Sequence, residues 1–202
     1  MITTPTTVEE LLDYWPGNIP FKGDLVSGDG SCMCAQGQVL HFLGKLTVDD
    51  LRAVSQAGAD KQVAKLLDIS VAHSALLRIV NDNQEGAPSC VIRNPAQILG
   101  DQAHIVLAFW RHLDCMTPAA GAAAKAAAKA AAWAAAREAA REAAWAAAGA
   151  AAWTAAGEAA WAAAGASNEV QGAAVMRAKG LPFFFLPLFG FSDPEAVIAA
   201  SI

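Results

Sequence analysis

The sequence predicts an all-α protein with an N-terminal helical bundle, a long alanine-rich helix or helical hairpin, and C-terminal helices that pack back. Capping motifs recur before apolar residues at helical spacing. Alanine, which has the highest helix propensity, fills 32 of the 48 positions from 119 to 166. Alternating β-branched residues are scarce, and Cys90-Val-Ile92 is the best candidate strand.

Residues 1–116 are predicted to form a globular helical domain, in which a loop spans residues 18–31. The first helix follows the capping box Thr7-Val-Glu-Glu10 and ends at Pro16-Gly17. Later helices are predicted from the same kinds of start and stop signals. They run from Cys34 to Leu43, from a cap at Thr47 to Gly58, from Asp60 to Leu67, from Ser70 to about Asn81, onward from Asn94-Pro95, and over 102–115.

Residues 117–166 form a repeat in which every fourth position is Trp, Lys, Arg or Gly, and residues 167–202 follow as C-terminal helices. A four-residue step overshoots one turn of a straight α-helix by about 40°, so the marked positions wind around the axis. We therefore expect a wrapped helix, a hairpin broken at Gly149 or Gly157, or a rod surrounded by other elements. The aromatic run 181–191 is expected to be buried, and Ser192 to cap the last helix.

Composition narrows the classes of function. A net charge of −5 and a pI near 5.3 disfavour binding to nucleic acid by phosphate neutralisation. The start Met1-Ile-Thr-Thr-Pro lacks the features of a signal peptide, and charged residues interrupt the alanine tract. We therefore expect a cytoplasmic protein with no membrane contact. The spacing of its Cys and His residues predicts neither a metal site nor a cofactor.

A glycine-rich segment, Ser27-Gly-Asp-Gly-Ser-Cys32-Met-Cys34, precedes the second predicted helix. A Cys at a helix start can have a lowered pKa. Asp29-Gly-Ser-Cys32 resembles the nucleophile loop of OTU-type cysteine proteases. That resemblance implies a hydrolase with Cys32 as nucleophile and His104 as a later base, although papain-like folds carry this His on a strand. The alternative is a buried, structural pair of cysteines.

Residues 62–80 resemble a helix-turn-helix unit, with Asp68 where glycine usually makes the turn and Ser74 where an apolar residue is usual. The resemblance implies a DNA-binding regulator. Only His73 and Arg78 on its second helix are ordinary DNA-contacting groups.

A third pattern combines Cys34-Ala-Gln-Gly37, the pair Asn81-Asp82 and the alanine–tryptophan repeat. It resembles uncharacterised small proteins of actinobacteria, phages and prophages, for which no activity is implied. Asn81 and Asp82 at a helix end can accept backbone N–H groups from the glycine-rich loop, so we interpret them, with Cys34, as structural.

The sequence as a whole favours a non-enzymatic binding or scaffolding protein of phage or prophage type. It would bind a protein or a small ligand, and one use would be to sequester or inhibit a host defence component. Self-association or a protein contact is expected along the repeat, because Trp and Arg dominate interface energetics. The expected interface residues are Trp133, Arg137, Arg141, Trp145, Trp153 and Trp161. The cysteine hydrolase and the helix-turn-helix regulator remain the alternatives.

Overall fold

The computed structural model describes residues 4–147 and 174–200 of the 202-residue chain. Over these residues the all-α prediction is confirmed: there is no strand, only an isolated bridge between Val26 and Met33. The chain divides into two compact units, Met1–Cys115 with Ala200–Ile202, and Met116–Ala199. None of the described helices is long and apolar enough to cross a bilayer.

Eight α-helices are described in the first unit. They are α1 (Val8–Tyr14), α2 (Ala35–Gln38), α3 (Val48–Ala53), α4 (Gln56–Leu67), α5 (Val71–Asn83), α6 (Cys90–Arg93), α7 (Ala96–Leu99) and α8 (Ala103–Cys115). A 3-10 turn at Trp15–Gly17 ends α1, and a π-helical turn at Val39–Leu43 extends α2 up to Gly44.

Hydroxyl caps start several of these helices as the sequence predicts. Thr7 and Thr47 each form a complete capping box, and the Ser70 side chain accepts the His73 N–H. Such caps satisfy N–H groups that have no partner within the helix. These three helix starts are therefore confirmed.

Other predicted boundaries are wrong. The helix capped by Thr47 ends at Ala53, and Ser55 starts α4 by accepting the Gly58 N–H, so Asp60 lies inside α4 instead of opening a helix. The candidate strand Cys90-Val-Ile92 is helical, because a short apolar run does not distinguish the two structures. Pro95, rather than Asn94, occupies the N-cap position of α7, and no side chain caps that helix.

The core of the first unit lies where α2 and its π-turn meet α1, α4 and α5. Leu11, Trp15, Leu40, Val63 and Leu77 are fully buried there. The Trp15 indole N–H also donates to Gln38 Oε1 at 3.1 Å, so the largest core side chain has its polar atom satisfied. This arrangement fixes α2 at the centre of the unit.

In the second unit, α9 runs unbroken from Pro118 to Ala147, which confirms the helical prediction for this part of the repeat. Residues 148–173, which include the predicted break points Gly149 and Gly157, lie outside the described residues. The 3-10 turn Leu186–Phe189 packs against α9. Leu186, Phe189 and Phe191 are buried, whereas Leu181 and Leu188 are exposed, so the aromatic run is buried only in part.

The last helix, Pro194–Ala199, is capped differently from the prediction. Asp193 Oδ1 accepts the Ala196 N–H at 2.9 Å, and Ser192 Oγ donates to Asp193 Oδ2 at 2.8 Å. Asp193 is therefore the N-cap, and Ser192 only supports it, because the carboxylate lies three residues before the N–H that needs an acceptor.

Candidate functional site

The loop between α1 and α2 is fastened to the C-terminal end of α5. Gly23 donates its backbone N–H to Asp82 Oδ1 at 2.9 Å, and Asn81 Nδ2 donates to the Phe21 carbonyl at 2.7 Å. Asn81 is buried and Asp82 lies beside it. The pair thus binds the loop by one accepted and one donated hydrogen bond.

The glycine in α2 lets the same loop approach closely. A Cβ at Gly37 would lie 1.9 Å from the Leu25 carbonyl oxygen, a distance that no real contact allows. The Cys34 N–H donates to that same carbonyl at 3.3 Å. Residues 23–26 are therefore held against the start of α2.

A buried polar cluster lies next to this junction. Gln36 is fully buried, and its Nε2 lies 2.7 Å from Asp60 Oδ1 and 3.0 Å from both the carbonyl and the hydroxyl oxygen of Ser74. A carboxylate and a carbonyl only accept, so the amide nitrogen must face them and the amide oxygen must face away. Gln36 Oε1 is buried, and none of the described residues forms a hydrogen bond with it.

Arg78 connects this cluster to the surface. Its Nε lies 3.6 Å from Asp60 Oδ1, and both groups are mostly buried. The Gln56 amide, with its oxygen turned toward Arg78, accepts from Nη1 at 2.9 Å and from Nε at 3.2 Å. Asp60 thus joins two buried or partly buried donors, Gln36 and Arg78, on different helices.

A cleft of about 490 Å³ opens over this cluster. Loop residues form one side, the end of α3 and the start of α4 form another, and Gln36 and Arg78 belong to its lining. The lining comprises Gly23, Asp24, Leu25, Val26, Gln36, Leu51, Arg52, Val54, Gln56 and Arg78. A concave site with a few convergent polar groups is the usual form of a small-molecule site.

Arg52 contributes a second cation to the cleft. Its Nη1 donates to Asp49 Oδ1 at 3.0 Å, and its Nη2 donates to the Gly28 carbonyl at 3.1 Å. The Asp49 side chain is 92% exposed, so solvent screens this ion pair strongly. Arg52 is therefore positioned by the loop but is not neutralised by a buried partner.

The side chains of the predicted nucleophile loop, residues 27–32, form hydrogen bonds with one another. Ser27 Oγ donates to Asp29 Oδ1 at 2.6 Å, and Ser31 Oγ donates to both carboxylate oxygens. The Ser27 hydroxyl, then the Ser31 N–H and hydroxyl, lower the pKa of Asp29 to about 2. Asp29 is thus used to hold the turn that contains Cys32.

The two cysteines of this segment differ. Cys34, not Cys32, is the N-cap of α2, and its Sγ accepts the Gly37 N–H at 3.4 Å. Burial raises the pKa of Cys34, the cysteine that caps α2. Cys32 is exposed. The alternative of a buried cysteine pair is therefore wrong for Cys32.

Cys32 lines a second, shallower cleft of about 440 Å³ together with Tyr14, Phe21 and His41. His41 Nδ1 lies 2.7 Å from the Leu46 carbonyl oxygen, which only accepts, so Nδ1 carries a proton and donates it. His104, the base implied by the protease resemblance, lies on α8 and is not part of this lining.

The helix-turn-helix residues lie on α4 and α5, with Asp68 in the left-handed conformation between them. Ser74 is fully buried in the Gln36 cluster. His73 is buried and its Nε2 lies 2.7 Å from the Val91 carbonyl oxygen, while Arg78 is partly buried beside Asp60. His73 and Arg78, the two predicted DNA contacts, thus bind to groups inside the first unit.

The residues predicted for the interface of the repeat are described only in part. Trp133 is half-buried on α9, and Arg137 is exposed. Arg141 and Trp145 lie on the same helix. Trp153 and Trp161 lie outside the described residues, and the interface stays a prediction.

Neither a metal site nor a match to a known protein indicates a function for this chain. Over residues 4–147 and 174–200, no group of three or more His, Cys, Asp or Glu side chains is arranged to hold a metal ion. The chain matches no protein-family model, no curated protein and no solved structure in these comparisons.

The sequence did not reveal the polar cleft. Asp60 lies 24 residues and Ser74 lies 38 residues from Gln36 along the chain, and no single motif contains all three. Two weak signals were present: polar residues at core positions of helices, and Ser74 at a position where an apolar residue is usual. A polar residue at a core position requires a partner, but the sequence alone does not say which one.

Proposed function

We propose that the first unit is a non-enzymatic binding module that takes a small polar ligand in the cleft above Gln36. The observation that carries the proposal is Gln36, a residue of the cleft lining whose buried Oε1 forms no hydrogen bond with any described residue. A buried acceptor without a hydrogen bond costs about 1–3 kcal/mol. A ligand that supplies a donor removes that cost on binding.

The support for binding, rather than catalysis, lies in the kinds of groups present. The cleft combines amides, guanidiniums and one carboxylate, Asp24, and no Cys, His or Ser belongs to its lining. Its amides and guanidiniums are suited to hydrogen bonding and charge recognition. The volume falls within the range of about 300–1,000 Å³ typical of small-molecule sites.

The experiment is a screen of neutral, cationic and anionic small molecules by ¹H–¹⁵N NMR, read at the side-chain amide of Gln36. This signal is assigned by its loss in Gln36→Met. A cleft ligand changes the Gln36 amide shift, because the donor that reaches Oε1 polarises the same amide. Loss of binding in Val54→Trp, which fills the cleft, is the expected second result.

Ile79→Trp is the matched control, since Ile79 is exposed on α5 and is not part of the lining. It should bind like the wild type. A library that leaves the Gln36 amide unchanged throughout, or binding that survives Val54→Trp, would contradict the proposed function.

A further inference from the structure

The cleft offers both donors and an acceptor, and these groups define a class of ligand. Resting on the proposed function, we infer that the ligand is a small anion that also carries an N–H or O–H donor. Its carboxylate or phosphate group binds at Arg52 and Arg78, and its donor binds Gln36 Oε1. The inference rests on the two arginines of the cleft lining and on the buried Gln36 Oε1, which has no hydrogen-bond partner among the described residues.

The acceptor end of the site follows from Gln36. Both lone pairs of Oε1 are unused, and the amide cannot turn over, because Nε2 is fixed by Asp60 and Ser74. A ligand atom that reaches this oxygen must therefore donate. A purely accepting ligand, such as an anion without N–H or O–H groups, leaves Oε1 unsatisfied.

The anionic end follows from the two arginines. A guanidinium presents planar N–H groups that match carboxylate and phosphate oxygens. Arg78 directs Nε and Nη1 toward Gln56 and Asp60, and its Nη2 donates to none of the described residues. Arg52 donates to the Gly28 carbonyl and forms an ion pair with the highly exposed carboxylate of Asp49, which a ligand anion can replace.

The charge balance sets how the anion is recognised. The lining holds two cationic side chains and one anionic side chain, Asp24, and Asp60 lies behind Arg78. The cleft is therefore close to neutral, so affinity depends on directed hydrogen bonds more than on a positive field.

The test uses two sets of probes that separate the two halves of the ligand. One set is uridine 5′-monophosphate, uridine and methyl phosphate, measured at about pH 8, where a phosphate monoester carries no O–H group, and the other is orotate, uracil and benzoate. In each set the first compound has both an anionic group and an N–H donor, and the other two have one feature each. We expect the first compound of at least one set to bind at least about 10-fold more tightly than its two partial analogues.

Comparison of the sets distinguishes a phosphate from a carboxylate. Arg52→Gln should weaken the anionic probe about 10-fold and leave uridine or uracil unchanged. Arg52 is exposed, so this variant keeps the fold. Arg93→Gln is the control, because Arg93 is also an arginine paired with carboxylates, those of Glu9 and Asp13, but is not part of the cleft.

The outcomes separate this inference from the proposed function. Three results would overturn the inference and leave the binding function intact. Neutral and anionic probes could bind equally well at the Gln36 amide, or none of the six probes could bind. The cleft ligands found in the wider library could also lack an anionic group. If neither the probes nor any library compound changes the Gln36 amide shift, both the inference and the proposed function are overturned.

Discussion

Gly37→Ala tests the contact that shapes the cleft. The added Cβ would lie 1.9 Å from the Leu25 carbonyl oxygen, 2.9 Å from the Leu25 carbonyl carbon and 3.3 Å from Met33 Cβ. A carbon normally stays about 3.3 Å from a carbonyl oxygen, so the loop and α2 must separate by about 1.4 Å. The nearest atoms belong to backbone, which cannot simply change rotamer.

The size of the effect follows from opposing contributions. Overpacking costs about 1–3 kcal/mol, and loss of the hydrogen bond from Cys34 to Leu25 costs about 1 kcal/mol. Alanine regains about 1 kcal/mol of helix propensity over glycine. We therefore expect the free energy of unfolding to fall by about 1–3 kcal/mol. Affinity for cleft ligands should fall as well, because Leu25 belongs to the lining.

Urea unfolding followed by tryptophan fluorescence measures the change. Gly28→Ala is the control: it lies in the same loop, and a Cβ there meets nothing within 4 Å. Its stability should stay within about 0.5 kcal/mol of the wild type. If Gly37→Ala is as stable as Gly28→Ala, the loop does not pack on α2 as described and the account of the cleft is refuted.

Three further predictions concern the first unit. Trp15→Phe should lower the free energy of unfolding by about 1–3 kcal/mol, because it leaves the Gln38 amide without its indole donor; an unchanged urea midpoint would show that this hydrogen bond does not contribute. Burial lowers the pKa of His73, so the folded state resists protonation and stability should fall as pH drops below about 6.5. His73→Gln should flatten this dependence between pH 7.5 and 5.5, and an equally steep loss in that variant would assign it to other groups. Cys32 is exposed while burial raises the pKa of Cys34, so a thiol reagent followed by peptide mass spectrometry should label Cys32 well before Cys34; the reverse order would contradict the described burial.

Local signals in the sequence predict much of this fold. A hydroxyl residue three positions before an acidic residue is enough to place Thr7 and Thr47, because both partners of a capping box are near in sequence. Alanine content alone predicts α9. The errors arise where two local signals compete: Ser55 and Asp60 are both good capping residues, and only packing decides that α4 begins after Ser55.

The cleft could not be predicted in the same way. Gln36 meets Asp60 and Ser74 only after three helices have packed, so its hydrogen bonds depend on long-range contacts. The feature that indicates a function is Gln36 Oε1, which has no hydrogen-bond partner among the described residues. Such a feature arises only when the chain folds. The motif-based candidate Cys32, by contrast, was visible in the sequence because Asp29-Gly-Ser-Cys32 is contiguous.

The most direct test of the central claim is a crystal structure of the protein with its tightest cleft ligand. We expect a ligand N–H or O–H group within about 3.2 Å of Gln36 Oε1, with the ligand enclosed by the loop, α3 and α4. A ligand bound elsewhere, with an ordered water molecule satisfying Gln36 Oε1, would contradict it.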